Sequence, residues 1–318
     1  MQSRPIKTIA IFPKVQPDTV AAILLLKDYG EKHFPGIARA EVVFWTALPA
    51  GQTAEQCEAA GILPIDLGGG TFDHHHAERG EHQESAATLV AKYLGVEKDP
   101  ALQKLLAYAK RDDLEGKGTI SEDPLDRAFG LSGLITTYGR MHKDEPAALV
   151  VLVLPLLRAH VAQERQRYEE NPKEWKALKA AGRGQEFRVK GQRGIFAVAV
   201  AESDNISLPG FLRAYFQADV VIQRLSSGHV NIITNQKKQV DLRPVAAAVR
   251  AAEAEKLGVK ISAAALAAQG RVSELPMWFF DVMATTLQNG GVDPQDIPPT
   301  SLTLEEIIAA VKKGLAEA

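Results

Sequence analysis

The segment Ile65-Asp66-Leu67-Gly68-Gly69-Gly70-Thr71-Phe72-Asp73-His74-His75-His76 sets two acids and three imidazoles around a glycine run. Carboxylates and imidazoles delivered together after a short apolar stretch, here residues 61–65, commonly hold a divalent cation. The first half supplies further acids where elements should begin or end: Asp18, and Asp112 or Asp113. Asp18, Asp66, His74 and one of Asp112 and Asp113 would form a hard, mixed oxygen and nitrogen set. Such a set suits Mn2+ or Mg2+ better than structural zinc. A cation so held lowers the pKa of water toward neutrality and offsets charge on a phosphoryl group. In extended backbone His74 and His76 point one way and His75 the other, so all three cannot meet one ion. Asp73 would fix a histidine ring or serve as a further ligand.

These side chains need rigid elements behind them. Apolar runs predict strands over 7–12, 41–46 and 62–66. Helices are expected over 19–29 with Asp18 at the N-cap, over 53–60 and 84–94, and over 100–110 with Asp112 and Asp113 at the C-terminal end. Strands alternating with helices favour an α/β layer with a parallel sheet, whose ligands sit at the carboxyl ends of its strands. From 124 to 181 the pattern is helical, and the greasy start of 146–170 gives way to charge. Strands then follow over 186–190, 194–200, 218–224 and 229–234, the last two joined by a Leu225-Ser226-Ser227-Gly228 hairpin turn, with helices over 243–256 and 302–315. The expected organisation is a parallel-sheet α/β domain over 1–145, connecting helices over 146–184 and a smaller α+β domain over 185–318.

A length of 318 residues supports two domains. A net charge of -2 excludes broad, sequence-blind grip on long duplex DNA, while leaving room for a short oligonucleotide. Cys57 is the only cysteine, so no internal disulfide forms. The N-terminus lacks a secretory apolar core, and the longest apolar run, 147–157, contains Pro155 and is short for a bilayer. A soluble, cytoplasmic protein without a membrane partner is expected. The sequence has no Walker loop and no nucleophile elbow.

The order of motifs resembles the DHH phosphoesterase superfamily, and looks closest to its MYG1-like branch. The pieces that carry the resemblance span 7–118: the strand, loop and helix of 9–26 with Asp18, Asp66-Leu67-Gly68-Gly69, Asp73-His74-His75, Glu84-Ser85-Ala86-Ala87 and Lys110-Arg111-Asp112-Asp113. The resemblance implies a two-domain enzyme that uses manganese-type ions to hydrolyse phosphoester or phosphoanhydride bonds in a cleft between domains. For that branch it implies exonucleolytic cleavage of RNA. On this reading Asp66 is the central ligand, Asp18 and Asp112 or Asp113 flank it, His74 is the nitrogen ligand, and His75 acts as electrophile or acid near the scissile phosphate. The chain departs from the pattern at Phe12 and Gln16, which stand about where the family places a histidine and an acid or histidine. Three outcomes stay open: one well-held ion, a second ion that borrows His76 or His82, or loss of catalysis.

The stretches 218–234 and 240–244 are similar to the substrate domain that often follows such domains, although its glycine-histidine loop is not evident. There Arg224, His229, Lys237, Lys238 and Arg243 could form a phosphate-contacting patch, against the plainer reading of a solvated charged edge. Pro276-Met277-Trp278-Phe279-Phe280 reads as core packing more readily than as a base-stacking platform. The expected function is metal-dependent hydrolysis of a phosphodiester in a small nucleotide or short single-stranded oligonucleotide. The alternatives are a binding or regulatory module with weak or no catalysis, and a phosphoanhydride hydrolase. A homodimer is compatible with the resemblance, but no stretch marks an interface.

Overall fold

The computed structural model describes residues 5–75, 83–116, 118–291 and 296–318. The protein divides into two units, Met1–Tyr168 and Glu169–Ala318.

In the first unit β1 (Thr8–Ile11), β2 (Glu41–Phe44) and β3 (Ile62–Pro64) form a parallel sheet in the order β2-β1-β3, with Ile9 opposite both Val42 and Leu63. The helix that follows β1, α1 (Pro17–Tyr29), is buried at every residue from Pro17 to Leu26. A helix apolar all round has to be a core helix, and its packing against its neighbours fixes the orientation of its first turn. Pro17 opens it at N1, where no N–H is needed. Gln16 is the N-cap: its N–H donates to the Thr19 hydroxyl (3.1 Å), which donates in turn to the Gln16 carbonyl (2.9 Å). Asp18 therefore lies inside the first turn and not at the N-cap expected for it, so its carboxylate is free to reach another element.

Around this centre stand α2 (Ala54–Ala59), α3 (Ala86–Leu94), α4 (Gln103–Glu115), α5 (Pro124–Phe129), α6 (Leu131–Met141) and α7 (Pro146–Arg165). Helix α7 buries Leu149, Val150, Val153, Leu157 and Val161 in the first core and leaves Val151, Leu152 and Leu156 exposed. Within the helical stretch Pro146–Ala180 an 18-residue window has a mean hydropathy of 1.6, so the stretch is long and apolar enough to cross a membrane by length and composition alone. It extends well beyond the apolar run 147–157.

The segment expected to connect two domains is shared between the units: α7 belongs to the first and α8 (Asn171–Ala180) to the second. The second unit holds a seven-stranded sheet in the order β4-β5-β6-β7-β10-β9-β8. Its strands are β4 (Gly184–Lys190), β5 (Ile195–Glu202), β6 (Val220–Arg224), β7 (Val230–Thr234), β8 (Gly270–Val272), β9 (Leu275–Asp281) and β10 (Thr286–Asn289). All neighbours are antiparallel except β5 and β6, which run parallel with α9 (Leu208–Tyr215) between them in sequence. Helices α10 (Arg243–Leu257) and α12 (Leu304–Glu317) pack so closely that a Cβ on Gly314 would lie 2.4 Å from the Val245 Cα; a short α11 (Ala263–Leu266) follows α10. Trp278 and Phe280 are fully buried in this core, and the Trp278 indole donates to Glu253 (3.0 Å). Two of the three rings in the aromatic run are thus core packing, while Phe279 is half-buried beside Arg271.

Candidate metal centre

Three separate elements aim acids at one imidazole. Just past β3 the backbone at Asp66 takes a left-handed conformation, φ 54°, and its N–H donates to the Phe72 carbonyl (3.1 Å). Gly68 and Gly69 are also left-handed, and a Cβ on Gly68 would lie 2.4 Å from Leu48, so glycine is required where the loop folds back. The Asp73 carboxylate closes the loop, accepting from the N–H groups of Gly69 (2.7 Å) and His75 (2.9 Å). Asp73 is therefore a positioning residue for the His74-His75 backbone, outside the converging groups.

From α1, the buried Asp18 carboxylate accepts from Ala86 N–H (2.9 Å) and Ala87 N–H (3.0 Å), the first amides of α3. Helix N-termini favour a carboxylate in this way. Burial nevertheless outweighs those bonds and pushes Asp18 up to about 7, with Asp113 and Asp66 adding to the rise. From the last turns of α4, Asp113 Oδ2 comes within 3.1 Å of His74 Nε2. Burial raises Asp113 as well. Asp112 faces elsewhere: it accepts from Gly118 N–H (2.9 Å), and the Arg111 guanidinium holds the Gly118 carbonyl. Of the adjacent pair, Asp113 is the one that joins the cluster.

His74 is the hub. Its Nδ1 stands 3.2 Å from Asp66 Oδ1, while the exposed His75 brings Nε2 to within 3.4 Å of the same oxygen. The two rings are 4.0 Å apart. Two sets of ligand atoms result, Asp66 with His74 and His75, and Asp18 with His74 and Asp113, each within 4.8 Å. Asp66 Oδ1, His74 Nδ1, Asp113 Oδ2 and the Ser85 hydroxyl are all buried without a well-formed hydrogen bond. A buried polar atom left unsatisfied costs roughly 1–3 kcal/mol, so atoms converging in this way gain from a positive charge held among them. The Asp66 carboxylate, against the pull of burial and with help from Asp113 and Asp18, raises His74 to about 9. In the ion-free chain, an imidazolium therefore supplies the positive charge. Carboxylates and neutral imidazoles are the donors that a hard divalent ion takes, so the residues fit one.

His76 and His82 lie outside the described residues. Phe12 is 42 % exposed. It lines, with Gln16 and Asp112, a cavity of about 790 Å3. Sequence reasoning passed over Ser85, whose only signal was its place before a helix start.

In the second unit the five basic candidates are not brought together. Arg224 pairs with Val230 at one end of the β6–β7 hairpin, and Val220 with Thr234 at the other, beyond which Lys237 and Lys238 lie. His229 is buried, its Nδ1 bonded to the Ser227 hydroxyl (2.9 Å) and Nε2 to the Ile297 carbonyl (2.8 Å), so its ring is committed within the fold. Arg243 is paired with Asp241 (2.7 Å), and Lys238 stands 3.6 Å from Asp219.

No protein-family model matches the chain, and no curated protein is significantly similar to it in sequence.

Proposed function

We propose that the first unit is a DHH-type, metal-dependent phosphoesterase that hydrolyses a phosphodiester in a small nucleotide or a short single-stranded oligonucleotide. The reading is supported above all by two groups that share His74, one with Asp66 and His75 and one with Asp18 and Asp113, and by the buried Asp66 Oδ1, His74 Nδ1 and Asp113 Oδ2, which have no well-formed hydrogen bond. When bound, Mn2+ or Mg2+ supplies Lewis acidity toward water and a phosphoryl oxygen. Asp66, between both imidazoles, is the central ligand; Asp18 and Asp113 flank it, and His74 gives nitrogen. His75, exposed at the edge of the cluster and 3.4 Å from Asp66, is the group placed to act as electrophile or acid near the scissile phosphate. Asp73 keeps both histidines in place.

A second reading, a binding module that has lost catalysis, is favoured by Phe12 and Gln16, which give the cavity side of the cluster no strong ligand. Isothermal titration with Mn2+ and release of p-nitrophenol from bis-p-nitrophenyl phosphate separate the two. One bound ion with metal-stimulated turnover is expected. Asp66→Ala, His74→Ala and Asp113→Asn should each lower turnover at least a hundredfold, whereas Asp112→Asn should retain ion binding. Turnover that survives Asp66→Ala and His74→Ala would place the chemistry elsewhere, and one ion without turnover on any nucleotide would favour the module.

A further inference from the structure

The cavity that opens beside the cluster has a composition that the hydrolytic site itself does not require. It lies wholly within the first unit, between the loop after β1 and helices α5 and α6, and its volume of about 790 Å3 falls in the range of roughly 300–1,000 Å3 usual for small-molecule sites. Four cations line it: Lys14 from the loop, Arg127 from α5, and Arg140 and Lys143 from the end of α6 and the turn beyond. Among the described residues none of these four side chains makes a hydrogen bond or an ion pair. Elsewhere in the first unit Arg158 is anchored on Asp28 and Arg165 on Asp99. The acid in the lining, Asp112, is committed to the Gly118 amide. The cavity therefore carries an excess of unspent positive charge. At its wall stands Phe12, an aromatic ring left 42 % exposed just past the carboxyl end of the parallel strand β1.

An anion-seeking lining with an uncovered ring is suited to a ligand that joins phosphate to a flat heteroaromatic ring. We infer that this cavity binds a nucleoside 5′-phosphate, with its base stacked on Phe12 and its phosphate held by Arg127, Arg140, Lys14 and Lys143. Asp112 in its lining directly precedes Asp113 of the cluster in the last turns of α4, so the cavity adjoins the proposed metal ligands. What then happens to the phosphate rests on the phosphoesterase reading; the binding does not.

Calorimetric titration of the full chain with AMP in excess EDTA reads the cavity without the metal, and ribose 5-phosphate serves as a probe that lacks the ring. Base–aromatic stacking is worth roughly 1–3 kcal/mol, so Phe12→Leu should weaken AMP about tenfold and leave ribose 5-phosphate unchanged. The unchanged sugar phosphate also shows that the variant is folded. The double variant Arg127→Ala/Arg140→Ala should weaken both ligands more than tenfold. Equal affinity for AMP and ribose 5-phosphate, or AMP binding indifferent to either variant, would overturn the assignment. The dinucleotide pApA locates the source: tighter binding than AMP assigns the end of an RNA chain, weaker binding a free mononucleotide, and either outcome supports the cavity. Binding without turnover would remove only the hydrolytic reading; turnover without metal-free binding would remove only this one.

Discussion

At the scale of single residues, the proposed centre would set a proton and an ion in competition for the same place. His74 keeps its proton up to about pH 9 because the Asp66 carboxylate lies beside it, and the buried Asp18 keeps one up to about pH 7. Both groups bind a cation only after deprotonation. Apparent Mn2+ affinity should therefore rise with pH, by up to about tenfold per unit between 7 and 9, more steeply below 7, and level off above 9. Titrations at pH 8 in buffers of different ionisation enthalpy should show release of about one proton per ion; affinity flat across this range would mean that neither group touches the ion. The same scale explains why Asp112 and Asp113 could not be told apart in the sequence. Adjacent residues on a helix point about 100° apart, and which of them faces His74 depends on how α4 is rotated against its neighbours.

At the scale of elements, the first unit was largely legible because its signals are local. Ile-Ala-Ile in β1, the glycine stop after α1 and the serine ahead of α3 each announce an element within a few residues. Asp66 and Asp18 could be singled out because they sit near the ends of such elements, and His74 because it lies in the Asp73–His76 run. The second unit was less legible. Strands β8, β9 and β10 and helix α9 were not anticipated: β8 and β10 are short, and β10 is defined by pairing with β7, some fifty residues earlier. His229 was read as surface charge because its partner, the Ile297 carbonyl, is 68 residues away. Close contact between α10 and α12 rests on Gly314. Gly314→Ala would place a methyl 2.4 Å from the Val245 Cα and force the helices apart. Overpacking of this kind costs typically 1–3 kcal/mol, to be read as a lowered urea midpoint. An unchanged midpoint would show that the pair adjusts freely.

At the scale of the molecule, two units with separate cores should unfold as two events. The candidate ligands all lie in the first. Mn2+ at a hundred times its dissociation constant stabilises the state that binds it by about 2.7 kcal/mol. Scanning calorimetry should therefore show one transition that rises with Mn2+ and another that does not move, the latter being the one lowered by Gly314→Ala. A shift of both by the ion would mean that the units melt together.

The left-handed backbone at Asp66 also bears on how this lineage can change. Holding a side chain other than glycine there costs about 1 kcal/mol or more, so Asp66→Gly relaxes the fold while deleting the carboxylate. Asparagine, which tolerates the same geometry, would keep the shape without the charge. Selection for a sturdier chain and selection for chemistry pull in opposite directions at this position. Were the proposed chemistry lost, this is among the first places where glycine or asparagine should appear.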